Sequence, residues 1–108
     1  MNTVRPIHPE MTHKAYLFLL WLISKRKLHG YQIIKLLEKE GIKSMGASRL
    51  YPLLNNMLHN GWISQIETKT GKRTRKIYVI TSEGKKVLDE GKKLFRGLLG
   101  QFVREMLQ

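Results

Sequence analysis

The residues best suited to chemistry lie on one face of a short helix predicted between Ser44 and Gly61. Its apolar residues recur at intervals of three and four, which places them on one side of a helix: Leu50, Leu53, Leu54, Met57 and Leu58. The opposite side is polar and carries no carboxylate: Ser48, Arg49, Asn55, Asn56 and His59. Arg and Asn form forked hydrogen bonds with guanine and adenine edges, whereas phosphate repels Asp and Glu. This polar face therefore predicts base reading, with a merely solvated surface as the alternative.

The charge of the chain favours a polyanionic partner. The 108 residues include 20 Lys and Arg against 8 Asp and Glu, a net charge of +12. Such a balance points first to nucleic acid and second to an anionic membrane surface. Between Gly41 and Ser82 the only acidic residue is Glu67. Seven basic residues share that segment and leave it at +6: Lys43, Arg49, Lys69, Lys72, Arg73, Arg75 and Lys76.

The residue types of an enzyme or a metal site are absent or scattered. There is no cysteine, and the four histidines show no metal-ligand spacing. No serine lies in a nucleophile-elbow pattern, and the few acids form no acid/base pair. We therefore expect no enzymatic activity and no cofactor. The lack of cysteine fits a reducing compartment, and the longest apolar run, Ala15 to Ile23, is too short to cross a membrane, so we expect a cytoplasmic protein.

The elements that must position the polar face divide the chain into three parts. Residues 1–11 read as an extended arm, residues 12–80 as the binding domain, and residues 81–108 as a last helix. A first helix of about Thr12 to Lys25 is apolar on every side, so the core and a partner chain are expected to cover it. A second helix begins at Gly30 and ends at Gly41. His29, in the turn before it, is expected to satisfy local backbone groups.

After Gly61 the sequence pattern changes from helical to alternating. Residues 62–69 and 73–80 predict two strands, joined by a turn at Thr70-Gly71-Lys72. Basic residues cluster at or near the hairpin tip. A cationic hairpin directly after a reading helix is a wing, whose targets are phosphates or the minor groove.

The last helix carries more apolar residues than one small domain needs. Thr81 is expected to cap it, and paired apolar residues follow to the end of the chain. We expect two chains to pair through this helix and the first one, by these residues: Phe18, Trp21, Leu94, Phe95, Leu98, Phe102 and Met106. The same aromatic junction is the one place that could bind a small hydrophobic effector, whose identity the sequence does not give.

Four segments of the chain resemble the PadR family of transcriptional regulators. They are L-H-G-Y-Q-I-I at Leu28 to Ile34, L-Y-P-L-L at Leu50 to Leu54, G-W-I at Gly61 to Ile63, and R-K-I-Y-V-I-T-S-E-G at Arg75 to Gly84. The similarity runs from about Ala15 to Leu88 in the right order and spacing. The pair H-G-Y and L-Y-P, twenty residues apart, is the specific part.

This resemblance implies a homodimeric winged helix-turn-helix protein, usually a repressor, that binds a partly palindromic operator. In the family the third helix enters the major groove and the wing touches the flanking backbone. Tyr31 and Tyr51 in the matching motifs become candidate phosphate contacts, and Arg75 and Lys76 match the basic end of the wing. The family often has Ser-Pro where this chain has Gly46-Ala47, so we place the start of the reading helix between Gly46 and Ser48. A single final helix resembles the short members, and no ligand-contacting residue of the family is matched.

The sequence thus predicts a mainly α protein with a small β-hairpin (α+β), namely a winged helix-turn-helix with a C-terminal dimerisation helix. We expect it to regulate transcription as a repressor that binds double-stranded DNA. Its candidate phosphate contacts are Tyr31, Lys43, Tyr51, Lys69, Lys72, Arg73, Arg75 and Lys76. Two copies would hold their reading helices about one DNA turn, roughly 34 Å, apart. The alternatives are a winged-helix module for RNA or protein and, less favoured, a basic membrane-surface protein.

Overall fold

The computed structural model describes residues 9–42 and 46–108. Those residues form five helices and one hairpin: α1 (Pro9–Lys25), α2 (Gly30–Lys39), α3 (Ala47–His59), β1 (Ile63–Thr70), β2 (Arg73–Ile80), α4 (Ser82–Leu94) and α5 (Leu98–Met106). The predicted fold class, mainly α with a small hairpin, is confirmed. None of the described helices is long and apolar enough to span a membrane.

The first helix begins earlier than predicted. Residues 1–8 of the expected arm fall outside the described residues, whereas residues 9–11 are helical, so the arm cannot extend to residue 11. A proline suits the first position of a helix because the N–H that it lacks would have no helical partner there. The helix therefore begins at Pro9 rather than at Thr12.

The core lies between α1, the two helices that follow it, and the base of the hairpin. The predicted stripe of α3 is confirmed, with Leu50, Leu54 and Met57 fully buried. The other buried apolar residues are Leu19, Leu20, Leu22, Ile23, Leu28, Ile33, Leu37, Ile63, Tyr78 and Leu88. Each fully buried aliphatic side chain contributes about 1.5–3 kcal/mol to folding. The reading helix is thus fixed through its apolar side, which leaves its polar side outward.

The two helices of the helix-turn-helix meet at Gly30, the first residue of α2. A Cβ atom built on Gly30 would lie 2.6 Å from both the hydroxyl oxygen and Cε1 of Tyr51 in α3. Only glycine lets the ring come so close. Gly41, where the sequence predicts the end of α2, adopts a left-handed conformation with φ of +83°.

The wing is a two-stranded antiparallel sheet that is tied to the domain at its base. Ile63 pairs with Ile80 and Thr70 with Arg73, and Gly71 forms the turn with φ of +64°. Beyond the hairpin itself, the Tyr78 amide donates to the Leu28 carbonyl at 2.9 Å. The wing is therefore anchored to the turn between α1 and α2.

The C-terminal part differs from the prediction of one continuous helix, which is wrong. Thr81 caps α4 as predicted, accepting a hydrogen bond from the Gly84 amide at 3.0 Å. The helix ends at Leu94, and α5 begins after Gly97, whose backbone is not helical (φ −110°, ψ −138°). Glycine is a poor helix former, and a Cβ atom built on Gly97 would have no neighbour within 4 Å. The glycine at 91, by contrast, lies where α4 crosses α1, against Leu17.

Candidate nucleic-acid interface

A cleft of about 760 Å³ lies between the start of α2, α3 and β2, and we refer to it as the reading cleft. It brings together six of the predicted contact residues from three separate elements: Tyr31, Tyr51, Asn55, Arg73, Arg75 and Lys76. None of the described residues that line it is acidic. A groove with cations, phenols and an amide, and without carboxylates, is suited to a polyanion with readable polar edges.

Sequence reasoning missed five residues of the reading cleft, namely His29, Gly30, Gln65, Thr74 and Tyr78. The alternation of β2 was a usable signal, because Thr74 and Tyr78 share a face of the strand with Lys76. Burial raises the pKa of Tyr78, and Tyr51 raises it further, while a hydrogen bond with Gln65 lowers it. Tyr78 therefore stays protonated. It lines the reading cleft as an uncharged residue.

The exposed side of α3 carries a polar stripe that continues from the reading cleft. Successive helical residues turn by about 100°, so Ser48, Asn55 and His59 fall within about 40° of one another. All three are exposed. Tyr51 flanks this stripe on the side of the cleft. The stripe is therefore open to a partner large enough to cover both the helix and the wing.

Arg49 and Asn56 lie on the edge of α3 away from the reading cleft, about 100° around the helix from Ser48 and Asn55. The Asn56 amide nitrogen donates to the Tyr16 hydroxyl of α1 at 3.0 Å. The Tyr16 ring in turn packs edge-on against Trp62, with the ring centres 5.4 Å apart. Asn56 thus ties α3 to α1, whereas Asn55 has no side-chain hydrogen bond among the described residues.

The wing cations are distributed along the hairpin. Arg73, Arg75 and Lys76 line the reading cleft, whereas Lys72, in the turn, and Lys69, opposite Thr74 in β1, do not. Lys43, the remaining predicted cation, lies outside the described residues. Ion pairs in the described part of the chain join only helical neighbours in α2 and α4. The wing and α3 cations therefore have no carboxylate partner within the described structure.

His29 caps α2, as expected of a residue that satisfies local backbone groups. Its Nδ1 faces the Gln32 amide at 3.4 Å, and its own amide donates to Gln32 Oε1 at 3.0 Å, which forms a capping box. A further contact was not predicted: Nη1 of Arg75 lies 2.7 Å from His29 Nε2. Partial burial, and then the Arg75 charge, lower the pKa of His29 below 6.5.

The residues predicted to pair two chains are all exposed in the single chain. Phe18 and Trp21 lie on the outer side of α1, with their ring centres 6.0 Å apart. At the C-terminus Leu98 is 81% exposed and Phe102 58% exposed. These side chains leave partly exposed apolar surfaces on α1 and on the C-terminal helices. Across the described ranges, no group of three His, Cys, Asp or Glu residues is placed to hold a metal ion.

A helix-turn-helix followed by a hairpin that shares a cleft with the second helix defines a winged helix-turn-helix protein. The sequence profile of the PadR-like family of transcriptional regulators matches residues 19–90, more than half of the chain. The chain therefore belongs to this family, which regulates transcription by binding DNA, and the predicted resemblance is confirmed. No curated protein matches the sequence.

Solved structures show the same fold over nearly the whole chain. The chain is similar to a PadR-like transcriptional regulator from Bacillus cereus, at 26% identity and a TM-score of 0.76, covering 94% of this chain and 98% of that one. For a PadR family regulator from Eggerthella lenta the identity is 27%, the TM-score 0.69 and the coverage 93% and 88%. A PadR-like transcription factor from Bacteroides fragilis, at 20% identity, shares the fold with a TM-score of 0.75 over 91% and 94%.

Proposed function

We propose that this protein is a homodimeric repressor that binds a partly palindromic site on double-stranded DNA. The observation that carries the proposal is the continuity of the reading cleft with the polar stripe of α3. The cations lie on the wing, and the polar groups that can hydrogen-bond with base edges lie on α3. No described residue lining the cleft is acidic. A B-DNA major groove admits a helix with such a surface, whereas the deep, narrow major groove of RNA does not.

Within this surface the two kinds of contact divide by element. Ser48, Asn55 and His59 are the base readers that face outward between the two edges of α3. Arg49 reaches bases from the far edge, and Asn56 contributes from there while it also holds α3 against Tyr16. The phosphate contacts are the tyrosines and wing cations: Tyr31, Tyr51, Lys69, Lys72, Arg73, Arg75 and Lys76. Phosphate contacts fix register and base contacts specify the sequence.

Pairing of two chains is proposed from the exposed apolar residues of α1 and of the C-terminal helices. A small domain commonly completes its burial by association, and large exposed apolar patches mark interaction sites. A second copy seated on these surfaces would cover Trp21, Leu98 and Phe102 and duplicate the reading stripe by twofold symmetry. This junction, enclosed by both chains, is where a small hydrophobic effector would bind.

Footprinting the purified protein across the DNA upstream of its own gene tests the proposal. We expect protection of two related half-sites whose centres are about 10 base pairs apart, because one DNA turn separates twofold-related reading helices. Excess double-stranded RNA and anionic vesicles serve as competitors that should leave the footprint intact. Uniform protection without boundaries would contradict a sequence-specific DNA repressor. So would disappearance of the footprint when either competitor is added.

A further inference from the structure

His29 makes two contacts that one neutral imidazole cannot satisfy together. Arg75 can only donate, so its 2.7 Å contact needs a lone pair on Nε2. The Gln32 amide also donates, so its 3.4 Å contact needs a lone pair on Nδ1. A neutral ring has one lone pair and one N–H, and therefore one of the two donors is left without a proper acceptor.

The shorter contact determines the tautomer of the free protein. A charge-assisted hydrogen bond at 2.7 Å is much stronger than a neutral one at 3.4 Å. Nε2 therefore accepts from Arg75, and the ring proton resides on Nδ1, where it faces the Gln32 amide. While Arg75 occupies Nε2, the capping box therefore keeps only one of its two hydrogen bonds, from the His29 amide to Gln32 Oε1.

His29 and Arg75 also lie where two clefts meet. The second, which we refer to as the side cleft, has a volume of about 450 Å³ and lies between the α1–α2 turn, α2 and β2. The basic residues of the two clefts are Arg26, Lys35, Lys39, Arg73, Arg75 and Lys76, and no described lining residue is acidic. The phenols of Tyr31, Tyr51 and Tyr78 complete the titratable groups around the ring. The described lining of the two clefts thus offers these cations no carboxylate acceptor, and an incoming phosphate would supply a charged one.

We propose that His29 is a backbone-phosphate ligand whose imidazole changes tautomer when Arg75 transfers to the DNA. Phosphate is a better acceptor for guanidinium than imidazole is, because it is charged and matches the guanidinium fork. Once Arg75 has left, Nδ1 releases its proton to water and Nε2 takes one from water, with no net proton uptake. Nε2–H then donates to a phosphate oxygen, and the Nδ1 lone pair accepts the Gln32 amide and completes the cap.

The tautomer can be measured by long-range proton–nitrogen NMR of the histidine rings in the full chain at neutral pH. We expect Nδ1–H in the free protein, Nε2–H in Arg75→Ala, and Nε2–H in the wild type bound to a duplex containing the footprinted site. Arg73→Ala is the matched control and should keep Nδ1–H when free. An Nε2–H signal in the free wild type, or an Nδ1–H signal in the complex, would overturn the proposal.

Affinity at several salt concentrations tests the contact itself. His29→Asn keeps a good cap residue but is too short to cap α2 and reach a phosphate together, so we expect about tenfold weaker binding. The slope of log K against log salt should stay unchanged, because a neutral donor displaces no counterion, whereas Arg75→Ala should lower it by about one. Gln32→Ala disturbs the cap without touching Nε2 and should bind more tightly than His29→Asn. Equal loss in these two variants, or a reduced slope in His29→Asn, would refute a neutral phosphate ligand.

This inference rests on the proposed function, and the two can fail separately. If the wild type binds no duplex, the proposed function fails, although Arg75→Ala would still show whether the free-state pair sets the tautomer. If the wild type binds its site while His29→Asn binds equally well, only the role of His29 is wrong.

Discussion

The phenol ring of Tyr51 lies directly over the backbone of Gly30, where a Cβ atom would stand 2.6 Å from the ring. Gly30 belongs to the H-G-Y segment and Tyr51 to the L-Y-P segment, the two motifs that are twenty residues apart in the sequence. Their contact sets the distance between α2 and α3. It also places Tyr51 in the wall of the reading cleft, so packing and binding depend on the same ring.

Gly30→Ala should disturb both the packing of α2 against α3 and the binding of DNA. The added methyl group must displace the Tyr51 ring or separate the helices, and we expect about 1–3 kcal/mol lower stability from overpacking. Urea unfolding measures the stability, and DNA affinity should fall as well, since Tyr51 moves. For the unfolding measurement only, Gly97→Ala is the control for an added methyl group, because a Cβ atom built there has no neighbour within 4 Å. An unchanged unfolding midpoint for Gly30→Ala would show that the contact is not tight.

Arg49→Ala and Arg73→Ala should weaken DNA binding in different ways. Loss of the α3 guanidinium should cost about 1–3 kcal/mol on the cognate site and little on random DNA. Loss of the wing guanidinium should weaken all sequences alike and lower the salt slope by about one. Binding isotherms on both duplexes at several salt concentrations separate the two effects.

The control for both variants is Lys86→Ala, since Lys86 lies on α4 beside Glu83 and away from both clefts. Its affinity should match that of the wild type. Equal weakening of both duplexes by Arg49→Ala would remove Arg49 from base reading, and an unchanged salt slope for Arg73→Ala would remove Arg73 from the phosphate contacts.

Phe102→Glu should leave the chain folded but convert the dimer to a monomer. Phe102 is 58% exposed in the chain, so a charge there costs little in a monomer, whereas a dimer would bury that charge unpaired. Sedimentation velocity at micromolar concentration should change from the mass of two chains to that of one. Arg104→Glu, in the same helix, controls for the added negative charge. A wild type that already sediments as one chain would contradict the proposed pairing.

Stability should fall in mildly acidic solution because of His29. Its pKa is lowered in the folded state, so its contribution is fully present above the unfolded value of 6.5 and is lost as the pH falls through the lowered folded value. We expect urea midpoints to decrease between about pH 7 and about pH 5, and less steeply in His29→Asn. His59→Asn, on the exposed stripe of α3, is the control and should follow the wild type. Identical pH profiles for the wild type and His29→Asn would contradict this role.

Much of the fold was predictable because local chemistry agrees with packing. Leu50, Leu54 and Met57 recur with the spacing of a helix, and all three are buried in the structure. Gly71 forms the predicted turn. The break before α5 was not predicted, because the apolar pairs continue through it and only the conformation of Gly97 shows the interruption. Helix period alone does not distinguish one helix from two.

For the candidate site, the sequence indicated the polar face and the wing but not their junction. His29 and Arg75 are 46 residues apart, and only the pairing of β2 with the α1–α2 turn brings them together. Asn55 and Asn56 look equivalent in a sequence, whereas the contact with Tyr16 distinguishes them. Such differences depend on tertiary neighbours, which no local pattern of residues contains.

The interruption at Phe95–Gly97 has a consequence for how such a regulator could diversify. It separates α4, which is locked onto α1 at Gly91, from α5, which carries an outward apolar side. In the proposed dimer this three-residue joint sets the angle between α5 and the rest of each chain, and it lies outside the core. Lengthening or stiffening it would retune the spacing of the target half-sites while every residue that reads a base stays the same.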